Sequence, residues 1–100
     1  MKCTLEIVSG IYDGLIFECD SFPINIGRSQ DNEIAITYDD TASRVHAELS
    51  YESGRIFIDD LKSMNSTYVN GTKVGGSIGK RSINDGDLIK IGESYMRITI

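Results

Sequence analysis

One hundred residues, 40% apolar and 25% charged, are enough to build one hydrophobic core without covalent staples. No apolar run approaches the ~20 residues that span a bilayer as a helix, and Met1-Lys-Cys-Thr-Leu-Glu lacks a signal-peptide apolar block, so one cytoplasmic domain over residues 1–100 is expected. The net charge of −5 argues against broad affinity for nucleic acid, which needs many neutralised phosphates, but leaves room for one phosphate in a local basic pocket.

No segment repeats apolar residues at helical spacing for three turns; short period-two runs recur instead, separated by Gly, Asn, Asp and Ser. Residues 3–9 alternate with Leu5 and Ile7 on one face, residues 10–14 turn, and residues 15–19 return with Leu15 and Phe17 on one face, which reads as a hairpin. Its cysteines, Cys3 and Cys19, match neither zinc spacing nor Cys-x-x-Cys. They read as small apolar residues, with a cross-strand disulfide only in an oxidising compartment. Residues 22–26 form a third strand, with Pro23 near its start, where a missing N–H is tolerated.

A polar loop over 27–33 precedes a short strand at 34–36. A second polar segment, 39–46, leads into strand 45–51, and the turn 52–54 into strand 55–59. The long polar loop 60–66 runs into a hairpin at 67–74, whose Asn70-Gly71 pair accepts the φ > 0 of a type I′ turn. Residues 75–79 read as flexible surface, and strands 87–91 and 94–100 close the chain as a hairpin. About ten or eleven short strands, with turns roughly every 8–12 residues, describe an all-β sandwich or barrel. Its core should be Ile, Leu and Val with Phe17, Phe22, Phe57 and Met96.

Chemistry concentrates in three loops: Gly27-Arg28-Ser29, Ser43-Arg44-Val45-His46 and Ser63-Met64-Asn65-Ser66-Thr67. Loops gather at the ends of a sandwich, so distant loops can share one site. A guanidinium with hydroxyl and amide donors is what an oxyanion such as phosphate requires. The alternative is that Arg28 and Arg44 are solvated surface arginines. Ser43 with His46 invites a nucleophile–base reading, but a triad also needs an orienting acid and an oxyanion hole, and no Gly-x-Ser-x-Gly elbow is present. A single histidine without partners at ligand spacing argues against a metal. His46 reads instead as a tie between loop backbones. Asp39 and Asp40 read as solvated turn residues. Asn65 either bonds local backbone, as Asn70 does, or presents its amide to bracket a peptide group.

Taken together, the motifs Gly27-Arg28-Ser29, Asn32-Glu-Ile-Ala-Ile36, Ser43-Arg-Val-His46-Ala, Asp60-Leu-Lys-Ser-Met-Asn65-Ser-Thr-Tyr-Val-Asn70-Gly71, Asp85-Gly-Asp87 and Ile91-Gly92 closely resemble the forkhead-associated (FHA) domain family in order and spacing. The likeness covers essentially the whole chain. It implies a SMAD-like, mostly antiparallel β-sandwich of eleven strands in two sheets that binds phosphothreonine peptides with loops at one end, with no catalysis, cofactor or metal. Carried over by position, Arg28 would pair with the phosphate, Ser43 would bond a phosphate oxygen, Arg44 would add a second cation, and Thr41 would be a further phosphate-loop contact. Asn65, with Met64 beside it, would hold the peptide backbone. Gly27, His46, Asn70 and Gly71 would hold the loops. The implied partner is a phosphothreonine-containing protein, a Ser/Thr kinase or its substrate.

Two positions depart from the family pattern. Met64 stands where Ser, Thr, Arg or Lys is frequent, and Ser66 where Gly is usual. If that turn requires φ > 0, Ser costs more than Gly would. Three other readings compete: a phosphorylation-independent docking module with a lapsed phosphate site, a Ser43/His46 hydrolase, and an oligonucleotide-binding barrel. The acidic balance and the lack of aromatic–basic interleaving count against the last.

Overall fold

Isoleucine at alternate positions decides the architecture, because its stiff β-branched side chain packs well on a pleated surface and poorly in a helix. A computed structural model describing residues 1–100 has eleven strands: β1 (Cys3–Ile7), β2 (Ile16–Cys19), β3 (Ile24–Gly27), β4 (Ile34–Ala35), β5 (Ala47–Glu52), β6 (Arg55–Asp60), β7 (Thr67–Val69), β8 (Thr72–Val74), β9 (Arg81–Ile83), β10 (Leu88–Ile91) and β11 (Ser94–Thr99). The first sheet runs in the order β2-β1-β11-β10-β7-β8, the second β4-β3-β5-β6-β9. Every pairing is antiparallel except that of β3 with β4. No helix is long and apolar enough to cross a membrane.

The period-two pattern explains the core. Leu5 and Ile7, Ile24 and Ile26, Ile56 and Ile58, Ile89 and Ile91, and Met96 and Ile98 alternate with more exposed neighbours, and all ten are buried. Phe57 lies between Ile56 and Ile58, so its ring must leave the core. It faces outward, with the Lys80 ammonium 5.1 Å above it. Phe17 and Phe22 only border the core, while Leu15 and the edge-strand residue Ile16 are exposed. The flexible surface expected at 75–79 is instead a hydrogen-bonded turn. Gly75, at φ +91°, donates its N–H to the Gly79 carbonyl, and a Cβ there would meet Asp60 Cβ at 2.6 Å. Strand β9 went unread because its three residues bury only one apolar side chain, Ile83. Cys3 and Cys19 stand directly opposite each other across β1 and β2 as buried free thiols.

Strand direction positions the site. The connections β3–β4, β4–β5 and β6–β7 all emerge at one end of the second sheet and meet there.

Candidate functional site

Gly27 ends β3, and only glycine fits there, since a Cβ would lie 2.2 Å from the Arg44 carbonyl oxygen. The loops consequently lie backbone to backbone. Arg28 N–H donates to the Ser43 carbonyl at 3.0 Å, and Ser29 N–H to that of Arg44 at 3.1 Å. The buried Asn32 amide locks this pairing by donating to the carbonyls of Ser29 and Arg44, each at 2.7 Å. Arg28 Nε donates to the Ala42 carbonyl at 3.1 Å, which uses one of the five guanidinium donors and leaves the terminal nitrogens without an intramolecular partner.

His46 ties the second loop to the third. It is fully buried. Its Nδ1 accepts the Ser43 N–H at 3.0 Å, which places the proton on Nε2, and Nε2 donates to the Ser66 carbonyl at 2.8 Å. Both ring nitrogens are therefore committed to backbone. Ser43 Oγ contacts neither; it accepts the Met64 N–H at 3.0 Å, so its own proton is free to donate outward. Ser66 does take the left-handed conformation, φ +67°. The carbonyl that this turn presents is the one held by His46. On the other side of the loop, the Asp60 carboxylate accepts from Ser63 N–H, Ser63 Oγ and Thr67 Oγ1.

Asp39 is a correction. Read as a solvated turn residue, it is buried and takes four hydrogen bonds: Thr41 N–H at 2.9 Å, Thr41 Oγ1 at 2.5 Å, Glu93 N–H at 3.0 Å and Ser94 Oγ at 2.6 Å. Thr41, expected among the phosphate donors, thus spends both its hydroxyl proton and its N–H on Asp39. Burial is the largest influence on the Asp39 carboxyl and pushes its pKa up, but the hydrogen bonds together outweigh it and hold the group below its ordinary range. Asp60 shows the same balance, with the donors of Ser63 and Thr67 outweighing burial.

A carboxyl whose pKa is lower folded than unfolded stabilises the fold fully above the unfolded value, and the contribution disappears as pH falls through the folded one. Acid should therefore loosen this end of the molecule below an ordinary aspartate value near 3.8. Urea unfolding of the parent chain should lose midpoint between pH 7 and pH 3, and Asp39→Asn should lose less over the same span, because it cannot be protonated. Equal losses in the two proteins would show that Asp39 is not the titrating group.

The remaining sequence-identified residues divide cleanly. Arg28, Ser43, Arg44, Met64 and Asn65 come together with Gly27 and His46. The Arg44 side chain is exposed and unpaired, while its carbonyl anchors the first loop. Met64 is 86% exposed and contributes its N–H to the site's frame. Asn65 Nδ2 donates to the Thr41 carbonyl at 2.8 Å, leaving one amide proton and Oδ1 open. Asn70 and Gly71 do not hold these loops. At φ +50° and +83° they form the β7–β8 turn, at the opposite end of β7 from Ser66. There the Asn70 side chain bonds Asp87 and the Leu88 N–H.

The family model described as FHA domain matches residues 24–92. The chain is 30% identical over 94 residues to the FHA domain-containing protein FhaB of Mycobacterium tuberculosis, a match covering 94% of this chain and 58% of FhaB. It is 41% identical over 69 residues to the ABC transporter ATP-binding/permease protein Rv1747 of the same species, covering 69% of this chain and 7% of the transporter. The chain thus spans well under two thirds of the length of either relative. Among solved structures, an FHA domain from a study of phosphothreonine-dependent FHA domain interactions superposes with a TM-score of 0.85 at 28% identity, covering 100% of this chain and 97% of that one. On its motifs, its two-sheet fold and these matches, the chain belongs to the FHA domain family.

Proposed function

We propose that the chain is a non-catalytic module that binds phosphothreonine in partner proteins through the β3–β4, β4–β5 and β6–β7 loops. One observation carries the reading: side-chain donors with uncommitted protons sit on loops that are hydrogen-bonded to one another. The Arg28 terminal nitrogens and the Ser43 hydroxyl are held in place by bonds that leave their outward protons free, with Arg44 exposed beside them. Phosphothreonine brings about −1.5 to −2 charges at neutral pH, and each charge-assisted hydrogen bond to it is worth roughly 1.5–3 kcal/mol. The open donor and acceptor of Asn65 suit the neighbouring peptide group. Because both His46 nitrogens are occupied by backbone, Ser43 has no general base, which favours binding over turnover.

Membership of the family supports this reading, as does the similar FHA domain studied for phosphothreonine-dependent interactions. The module takes in residues 1–100, because β1, β2 and β11 lie outside the family match at 24–92 and complete the first sheet. A Ser/Thr kinase or its substrate in the cytoplasm is the partner this chemistry suits, and no cofactor is called for. Calorimetric titration with one peptide in phosphothreonine, phosphoserine and plain forms tests it. Binding should be tightest for phosphothreonine and at least about thirtyfold weaker for the plain peptide, which follows from ~2 kcal/mol of lost hydrogen bonding. Equal affinities would make this a phosphorylation-independent docking domain.

A further inference from the structure

Thr41 is a partition. Its carbonyl faces the Asn65 amide, while its hydroxyl faces Asp39. Beyond that hydroxyl, a cleft of about 540 Å³ opens between the β1–β2 connection, residues 38–41 and the β10–β11 turn. One wall is aromatic: the rings of Tyr12 and Tyr38 stack at 4.1 Å between centroids, 26° from parallel. Tyr12 is 41% exposed and its neighbour Ile11 93% exposed, so apolar and aromatic surface is left uncovered here.

The rest of the cleft is anionic. Asp40 and Glu93 line it as exposed carboxylates with no hydrogen bond or ion pair to any other side chain, and no Lys or Arg is among the lining residues. Asp39 also lines it but is saturated by its own donors. The Tyr38 hydroxyl is buried behind its ring. The cleft therefore offers an aromatic face and two free carboxylates.

That set repels a second phosphate or an acidic side chain and suits a guanidinium. A planar cation stacks on a tyrosine ring while its N–H groups fork onto carboxylates, and Arg does both better than Lys. We propose that this cleft is a subsite for an arginine side chain of the bound phosphopeptide, on the Thr41 side of the phosphothreonine. The proposal rests on the phosphothreonine reading, and the shared wall supplies the link. An extended chain advances about 3.3 Å per residue, so two or three residues carry it from the Arg28–Ser43 donors past Thr41.

The test begins with a phosphothreonine peptide whose flanking residues are all alanine, with arginine then placed singly at each of the four positions on either side. Calorimetry should show a gain of about fivefold or more at one or two adjacent positions on one side only, with lysine gaining less. The gain should vanish both in Tyr12→Ala and in the double variant Asp40→Asn, Glu93→Gln, while both still bind the arginine-free peptide as the parent does. Thermal melts confirm that the variants are folded. A uniform gain at every position would reveal only the general field of an acidic protein and would overturn the subsite. So would a gain that survives either variant, or none. Absence of phosphate-dependent binding by the arginine-free peptide would instead remove the phosphothreonine reading, and the subsite with it.

Discussion

Arg28→Ala should weaken binding of a phosphothreonine peptide by about thirtyfold or more, the equivalent of ~2 kcal/mol, while leaving the fold in place. Nε is tied to the Ala42 carbonyl, which restrains the guanidinium and leaves its terminal nitrogens without an intramolecular partner. Truncation removes those donors, yet the bonds that shape the loop survive, because Arg28 N–H to Ser43 and Ser29 N–H to Arg44 belong to the main chain. Arg28→Lys should fall between parent and alanine variant: it keeps a charge but loses the fork and the Ala42 tether. Calorimetry measures the affinities and a melt checks the fold. An Arg28→Ala protein that binds the phosphorylated peptide as tightly as the parent would remove Arg28 from the site.

His46→Ala should act chiefly on stability, costing about 2–4 kcal/mol from a lost ring and two stranded backbone groups. The ring is fully buried, and truncation would leave the Ser43 N–H and the Ser66 carbonyl facing a cavity. For a chain of this size each kcal/mol moves the melting temperature by about 4–8 °C, so a drop of roughly 8–30 °C is expected. Binding should fall less than in Arg28→Ala when measured well below the melt, since the donor atoms themselves remain. A variant with the parent's melting temperature and no binding would instead put the imidazole in contact with the ligand.

How far the sequence reveals this molecule depends on how local each signal is. Strand alternation is written in neighbouring residues, so Leu5 and Ile7 or Ile56 and Ile58 declare their sheet and their face. The Asn70-Gly71 turn is equally local. The loops that hold Arg28, Ser43 and Asn65 are legible through the spacing of their motifs, which also carries the family. Phe57 departs from the expected core because pleat parity, set by Ile56 and Ile58, outranks its hydrophobicity. Asp39 was missed for a different reason. Two of its four donors, Glu93 and Ser94, lie more than fifty residues away, and no periodicity within residues 39–46 announces them. The positive φ of Ser66 follows from its position in the motif, but the bond from its carbonyl to a histidine 20 residues earlier does not.

Those long-range bonds have a consequence for how the site comes into being. Asp39 belongs to a connection of the second sheet and Ser94 to the first, and the His46–Ser66 bond likewise runs between a second-sheet loop and the residue preceding β7 of the first. The recognition end is therefore a seam, and neither sheet carries it alone. Contacts that close such long loops are costly in entropy and tend to form late in folding. On the reading proposed above, competence to hold a ligand is then a certificate of complete assembly, and a nascent or partly unfolded chain would be blind.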